Sequence, residues 1–326
     1  MSSPARFAAV SLEARLAKLL EQLERCASKP GSDEVHDLRV SIRRFSQALR
    51  VFAPMLSPKQ VKAMRKALRP VMEAAGCVRD LDVGMDRLLD EGLEENDAVL
   101  EEMRAERRRG ELALRGRLLL LKSLEPERMW PAGLRVQTAS PKKRGGYPRM
   151  KKNRALEWNS SGNSGENARR ILPRMAREFF ALGRIAARPE AAPAQLHAFR
   201  LSAKRFRYTL ELFEPMYGPM LAARLEQVRK IQSVLGERQD CVVLDERLRK
   251  RAGNTGPLRD VLVKLNAEGR ALEEKFRRFW HETFDPAGAE ALWVRHLERR
   301  PVEPGAPRGA IRKSAVRKGA RPPGRK

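Results

Sequence analysis

Apolar residues recur along this chain at intervals of three and four, the signature of helices that each bury one face. Between residues 33 and 53 the apolar stripe is Val35, Leu38, Ile42, Phe45, Leu49 and Phe52, and His36, Arg39, Arg43, Gln47 and Arg50 fall on the neighbouring face. The pattern returns between 194 and 214. There Leu196, Phe199, Ala203, Phe206, Leu210 and Phe213 form the stripe, beside polar His197, Arg200, Lys204, Arg207 and Tyr208. Runs of alternating β-branched residues are absent, so the fold class is all-α. The periodicity predicts helices over about 5–27, 33–53, 58–75, 79–91 and 95–124, with a short piece near 127–135. It predicts them again over about 167–188, 194–214, 219–235, 239–251, 257–283 and 287–299. Ser32 or Asp33 is expected to cap the second helix and Pro54 to end it, and Pro58 and Pro219 each stand where a following helix opens.

The two segments are related in sequence as well as in pattern. At an offset of 161, His36, Arg39, Ser41, Arg44, Phe45, Leu49, Phe52, Pro54, Met55 and Pro58 meet identical residues, from His197 to Pro219. Gly76 and Asp80 meet Gly236 and Asp240 at an offset of 160. Nearly constant offsets over such a span argue for duplication of a whole unit. The first unit is expected over 5–136 and the second over 167–300, together one domain over 5–300. The stretches 137–166 and 301–326 read as a disordered basic linker and tail.

Charge changes the picture from fold to partner. Net charge is +26 and the sequence pI about 10.9, which points to polyanions: nucleic acid, polyphosphate or an anionic membrane. About half of the excess lies in the linker and tail, and the rest belongs to the helices. A row of Arg, Lys and His at i, i+3, i+7 and i+14 spans roughly 20 Å and suits a linear anion of repeated charge. Lys62, Lys66 and Arg69 on the next helix extend it, and Arg229 is the counterpart of Arg69. Arg108 and Arg115 meet Arg270 and Arg277 at an offset of 162. Asp80 and Asp240 are expected to orient arginines or cap helices.

Other chemistry finds little support. Cys26, Cys77 and Cys241 have no paired spacing, which suits a reducing compartment and small, partly buried side chains. His36, His197, His281 and His296 lack a second ligand at metal spacing, so no metal or other cofactor is expected. A phosphate-binding glycine loop, a GxSxG elbow and clustered magnesium-binding acids are all missing from the sequence, which favours a binding module over an enzyme. The opening residues read as an amphipathic helix rather than a signal peptide, and the apolar run Leu118–Leu121 is too short to span a bilayer. A cytoplasmic protein is expected.

His-x-x-Arg-Val-x-x-Arg-Arg-Phe at 36–45 and His-x-x-Arg-Leu-x-x-Lys-Arg-Phe-Arg-Tyr at 197–208 resemble the CHAD family, the conserved histidine α-helical domain. So do Gly-x-x-Arg-Asp at 76–80 and Leu-Gly-x-x-x-Asp at 235–240. The resemblance implies two four-helix-type bundles related by pseudo-twofold symmetry, with a basic groove between them that binds inorganic polyphosphate. Carried over by motif, it nominates His36, Arg39, Arg43 and Arg44 with His197, Arg200, Lys204, Arg205 and Arg207. Arg50, Lys62, Lys66, Arg69 and Arg229 are added from the basic faces themselves. Gln239 departs from the pattern, standing where the first unit has Arg79, and no triphosphate-tunnel domain accompanies the helices. The resulting expectation is a non-catalytic polyphosphate binder, associated with polyphosphate granules. The alternative is a nucleic-acid-compacting protein acting through linker and tail.

Overall fold

The computed structural model describes residues 3–136, 158–159, 162–251, 256–299 and 301. All regular structure among them is helical. In chain order the helices are α1 (Pro4–Ser28), α2 (Ser32–Val51), α3 (Pro58–Asp90), α4 (Ala98–Lys122), α5 (Pro126–Gly133), α6 (Ser164–Ala186), α7 (Pro193–Tyr217), α8 (Pro219–Arg251), α9 (Gly256–Thr283) and α10 (Ala289–Glu298), with a 3-10 turn at Ala53–Met55. Helix α1 packs on α2, α2 on α3 and α3 on α4, just as α6 packs on α7, α7 on α8 and α8 on α9, and α10 closes against α6. Helices in corresponding places then meet across the molecule: α1 on α6, α2 on α7 and α3 on α8.

Both apolar stripes face inward as the periodicity requires. Val35, Leu38, Phe45, Leu49 and Phe52 are fully buried, as are Phe199, Ala203, Leu210 and Phe213, with Phe206 nearly so. Truncating a ring such as Phe45 or Phe206 to Ala in a packed core costs about 3–5 kcal/mol. The core does not divide at the repeat boundary. One cluster runs from Ala8 to Leu297, and a smaller one joins Leu81, Leu88, Leu100 and Met103 to Leu244, Leu248 and Leu265. Gly84 marks that second junction: a Cβ there would lie 3.0 Å from Met103 Cε and 3.2 Å from Leu244 Cδ1.

Several expected boundaries move. The breaks near 76–78 and 236–238 do not exist, because α3 and α8 are each continuous over 33 residues. Gly76 instead makes room, since a Cβ would sit 3.0 Å from Arg39 Nη1. Asp80 and Asp240 therefore lie inside helices and cap nothing. Pro54 follows the end of α2 as expected, but Pro215 remains inside α7, which ends at Gly218 with φ of 70°. Gly31 is the N-cap of α2 and Ser32 accepts a hydrogen bond from Arg79 Nη1 at 2.6 Å, so neither Ser32 nor Asp33 caps the helix. The linker expectation fails at its far end. Asn163 and Glu166 form a capping box that starts α6 at Ser164. Trp158 sits between the equivalent rings Phe52 and Phe213, edge-on to the first at 5.4 Å between centroids and stacked on the second at 6.3 Å. Residues 137–157 and the tail from 302 lie outside the described residues.

Candidate functional site

The apolar stripes of α2 and α7 fix which way their polar neighbours point, and the contact between these helices brings the two basic rows to one seam. At its centre Gln47 Nε2 donates to Thr209 Oγ1 at 2.9 Å, and that hydroxyl donates to the Arg205 carbonyl at 2.8 Å. Helices α3 and α8 flank the pair and supply Arg79 and Asp80 from one side and Asp240 from the other.

Toward the N-terminal ends of α2 and α7, cations face cations. Arg39 Nη1 donates to the Ala75 carbonyl at 3.1 Å, and Nη2 stands 3.9 Å from Asp80, a distant ion pair. Arg43, Arg200 and Lys204 make no ion pair among the described residues, and the buried Arg200 Nε has no hydrogen-bond partner. All three are half-buried. Burial lowers the Lys204 pKa from 10.5 to about 7, and Arg200, Arg43 and Arg39 push it the same way. Arg39 and Arg200 are held below the usual arginine value, first by burial; Arg43 lowers both further, against the opposing pull of Asp80 and Asp240. Burial raises the Asp240 pKa, a push that Arg200 opposes and the neighbouring Asp80 reinforces. His36 is exposed at the edge, and desolvation followed by Arg79 lowers its pKa, which keeps it neutral at pH 7. His197 is also exposed, at the start of α7.

Further along the same helices Arg44, Arg205 and Arg207 are paired with acids, and Arg50 is not, among the described residues. Arg44 Nε donates to Glu211 Oε2 at 3.0 Å, Arg207 Nε lies 3.6 Å from Oε1, and Arg15 of α1 donates to the Glu211 carbonyl at 3.5 Å. Glu211 is only 10% exposed in its side chain and serves all three arginines. Arg205 is paired with Glu178 at 3.4 Å. Arg50 carries a pKa lowered by burial, then by Arg65 and Arg205.

The nominated residues therefore separate. Arg39, Arg43, Arg200 and Lys204 converge, with His36 at the rim. Arg44 and Arg207 join a knot around Glu211. Lys62 and Lys66 are exposed on α3, while Arg69 and Arg229 are exposed and paired with Glu73 and Glu226 on their own helices. Sequence reasoning missed Arg15 and Glu211. Glu211 was visible as the residue aligned with Arg50 at the offset of 161. Cys241 is buried beside Arg87, its thiol pushed up to about 11, whereas Cys77 is exposed, against the expectation of burial.

No group of three or more His, Cys, Asp or Glu placed to hold a metal occurs among the described residues. Nor is any described helix long and apolar enough to cross a membrane. A cleft of about 630 Å³ between α6 and α10 is lined by Arg177, Arg184, Phe284 and Glu290 and contains none of the nominated residues. Arg177 and Arg184 are already paired with Glu298 and Glu290.

Comparison with known proteins matches this arrangement to one family. The family model described as the CHAD domain matches residues 10–249. The crystal structure of the CHAD domain from the plant Ricinus communis is similar to this chain with a TM-score of 0.57 and 19% identity, over 92% of this chain and 94% of that one. PptA from Streptomyces chartreusis is similar with a TM-score of 0.60 and 17% identity, over 86% of this chain and all of that one (100%). At such identities the likeness establishes a shared fold. No curated protein matches the chain.

Proposed function

The chain belongs to the CHAD domain family, and from that premise we propose that it binds inorganic polyphosphate, without catalysis, along the seam between α2 and α7. One observation carries the reading. Arg43, Arg200 and Lys204 are half-buried, close enough to repel one another, and in no ion pair among the described residues, with Asp240 attracting Arg200 and Lys204 only from beyond ion-pair distance. Fixed like charges in a partly desolvated place are destabilising until an anion arrives. A flexible polyanion laid along them removes that repulsion, takes up the free guanidinium donors and releases its own condensed counter-ions. The helices hold these groups in place before binding, so little ordering is charged against the affinity. Association with polyphosphate granules follows from the same interaction.

The test is a competition titration of long-chain polyphosphate against duplex DNA, with the full chain and with a chain lacking residues 301–326. Polyphosphate is expected to win in both, and removal of the tail to weaken DNA binding more. DNA winning with the full chain and losing its advantage without the tail transfers the function to nucleic-acid compaction by the tail. Release of phosphate from polyphosphate in the presence of Mg²⁺ overturns the non-catalytic reading.

A further inference from the structure

Ten large apolar side chains are exposed among the described residues, and five of them, Leu112, Leu119, Leu120, Leu124 and Met129, fall within one short stretch of the chain. Helix α4 already buries Leu100, Met103, Leu114, Leu118 and Leu121 against the bundle, so these leucines form a second, outward face. Leu112, Gly116, Leu119, Leu120 and Ser123 make a charge-free stripe about 17 Å long. Leu112 and Leu119, 71% and 68% exposed, repeat at seven residues, and Gly116 and Ser123 lie between and after them. A Cβ on Gly116 would meet nothing within 4 Å. Leucine knobs beside small-residue holes at heptad spacing are what one helix offers another.

Arg108, Arg115 and Lys122 run along one edge of the stripe, also at seven-residue intervals, and all are exposed. Arg115 meets Glu111 at 3.0 Å and Lys122 meets Glu24 at 3.3 Å, exposed pairs that contribute little and exchange readily. The fold does not demand this face. In α9, at the offset of 162, Phe276 and Trp280 take the buried places of Leu114 and Leu118, while Glu274, His281 and Glu282 take the exposed places of Leu112, Leu119 and Leu120.

Charge selects the occupant. Residues 137–157 and 302–326 carry seven and eight Lys/Arg against one acid each, so they do not complement a basic edge. A second copy laid antiparallel on the stripe brings basic row against basic row, and one laid parallel sets Arg108 and Arg115 opposite Ala113 and Leu120, which offer no acid. A bilayer needs neither heptad register nor Gly and Ser holes. We propose that the outer face of α4 docks an amphipathic helix of a partner protein that carries apolar residues at heptad spacing with Glu or Asp beside them.

The experiment uses the full chain and labelled 21-residue synthetic peptides in fluorescence anisotropy. One peptide carries Leu at a and d with Glu at e and g, a second replaces Glu with Lys, and a third replaces Leu with Ser. The comparison variant is L112E/L119H/L120E, which installs the residues α9 exposes at the same places; Leu119→Glu alone serves if the triple variant melts early. The native chain is expected to bind the Leu/Glu peptide at least about tenfold tighter than the variant does. Both should bind the Ser/Glu peptide equally and reject the Lys peptide. Equal affinity of native chain and variant for the Leu/Glu peptide overturns the proposal, since the seam alone then holds the peptide. So does native-only sedimentation with vesicles of equal phosphatidylglycerol and phosphatidylcholine, if the Leu/Glu peptide shows no preference, which assigns the face to a bilayer. Native self-association that the variant loses assigns it to a second copy.

Discussion

The seam has two parts that look alike in sequence and differ in what their charge can do. At Arg39, Arg43, Arg200 and Lys204 the cations face one another, and the nearest acids, Asp80 and Asp240, stand off at ion-pair distance or beyond. At Arg15, Arg44 and Arg207 three arginines share Glu211. Both regions are basic helix surface, but only the first holds charge that is both fixed and unspent. A single substitution separates them: the repeat places Arg50 in the first copy where the second has Glu211. Formal charge counts residues, whereas charge available to a ligand depends on whether a carboxylate is folded against it.

Removing Glu211 should erase the difference, and this is the largest effect expected. Glu211→Gln leaves three crowded cations without their acid and should cost roughly 3–5 kcal/mol of stability. Polyphosphate should recover part of that loss. Urea unfolding with and without polyphosphate measures both, and a variant within about 1 kcal/mol of the native chain would show that the knot holds nothing together.

Reversing charge in the unpaired region comes next. Arg43→Glu with Arg200→Glu removes two donors and adds two repulsive charges, so polyphosphate affinity should fall roughly a hundredfold or more with helicity retained. Isothermal titration alongside circular dichroism checks this. An unchanged affinity in a folded double variant places the site elsewhere.

A smaller effect is set by pH. Lys204 titrates at about 7 in the folded chain against 10.5 as an unperturbed side chain. Below about 7 it is charged in both folded and unfolded states and its full penalty weighs on the fold; between 7 and 10.5 the unfolded state binds the extra proton, so this residue makes stability rise with pH. Ligand binding has the opposite slope, because a polyanion favours the protonated amine. Affinity should decline as pH rises above 7, by about tenfold per unit at most, with proton uptake on binding. Titrations in buffers of different ionisation enthalpy detect that uptake, and Lys204→Arg, which keeps its charge, should flatten the profile. A native profile already flat between pH 7 and 9 removes Lys204 from the site.

The smallest change is expected outside the seam. Arg69→Ala and Arg229→Ala disrupt exposed pairs on their own helices and should alter polyphosphate affinity by less than about twofold. A loss matching that of the Arg43/Arg200 pair would extend the site along α3 and α8, as the basic faces first suggested.

The sequence by itself determined the helices, their inward faces and the residues that meet at the seam. Apolar period and basic period are both local, and the side of a helix is decided within a few turns. His36, Arg39, Arg43, Arg200 and Lys204 were therefore legible from spacing, and the repeat set them apart from ordinary surface charge. Tertiary structure decided which cations remain free. It set Arg44 and Arg207 against Glu211 and brought Arg15 from another helix to the same acid. It also ran α3 straight through Gly76 so that Arg39 could lie against it, and drew Trp158 out of an apparent linker into the junction of Phe52 and Phe213. These contacts join residues far apart in the chain, and no local period encodes them. Neutralisation and desolvation depend on distance in space, so they become definite only when the helices pack.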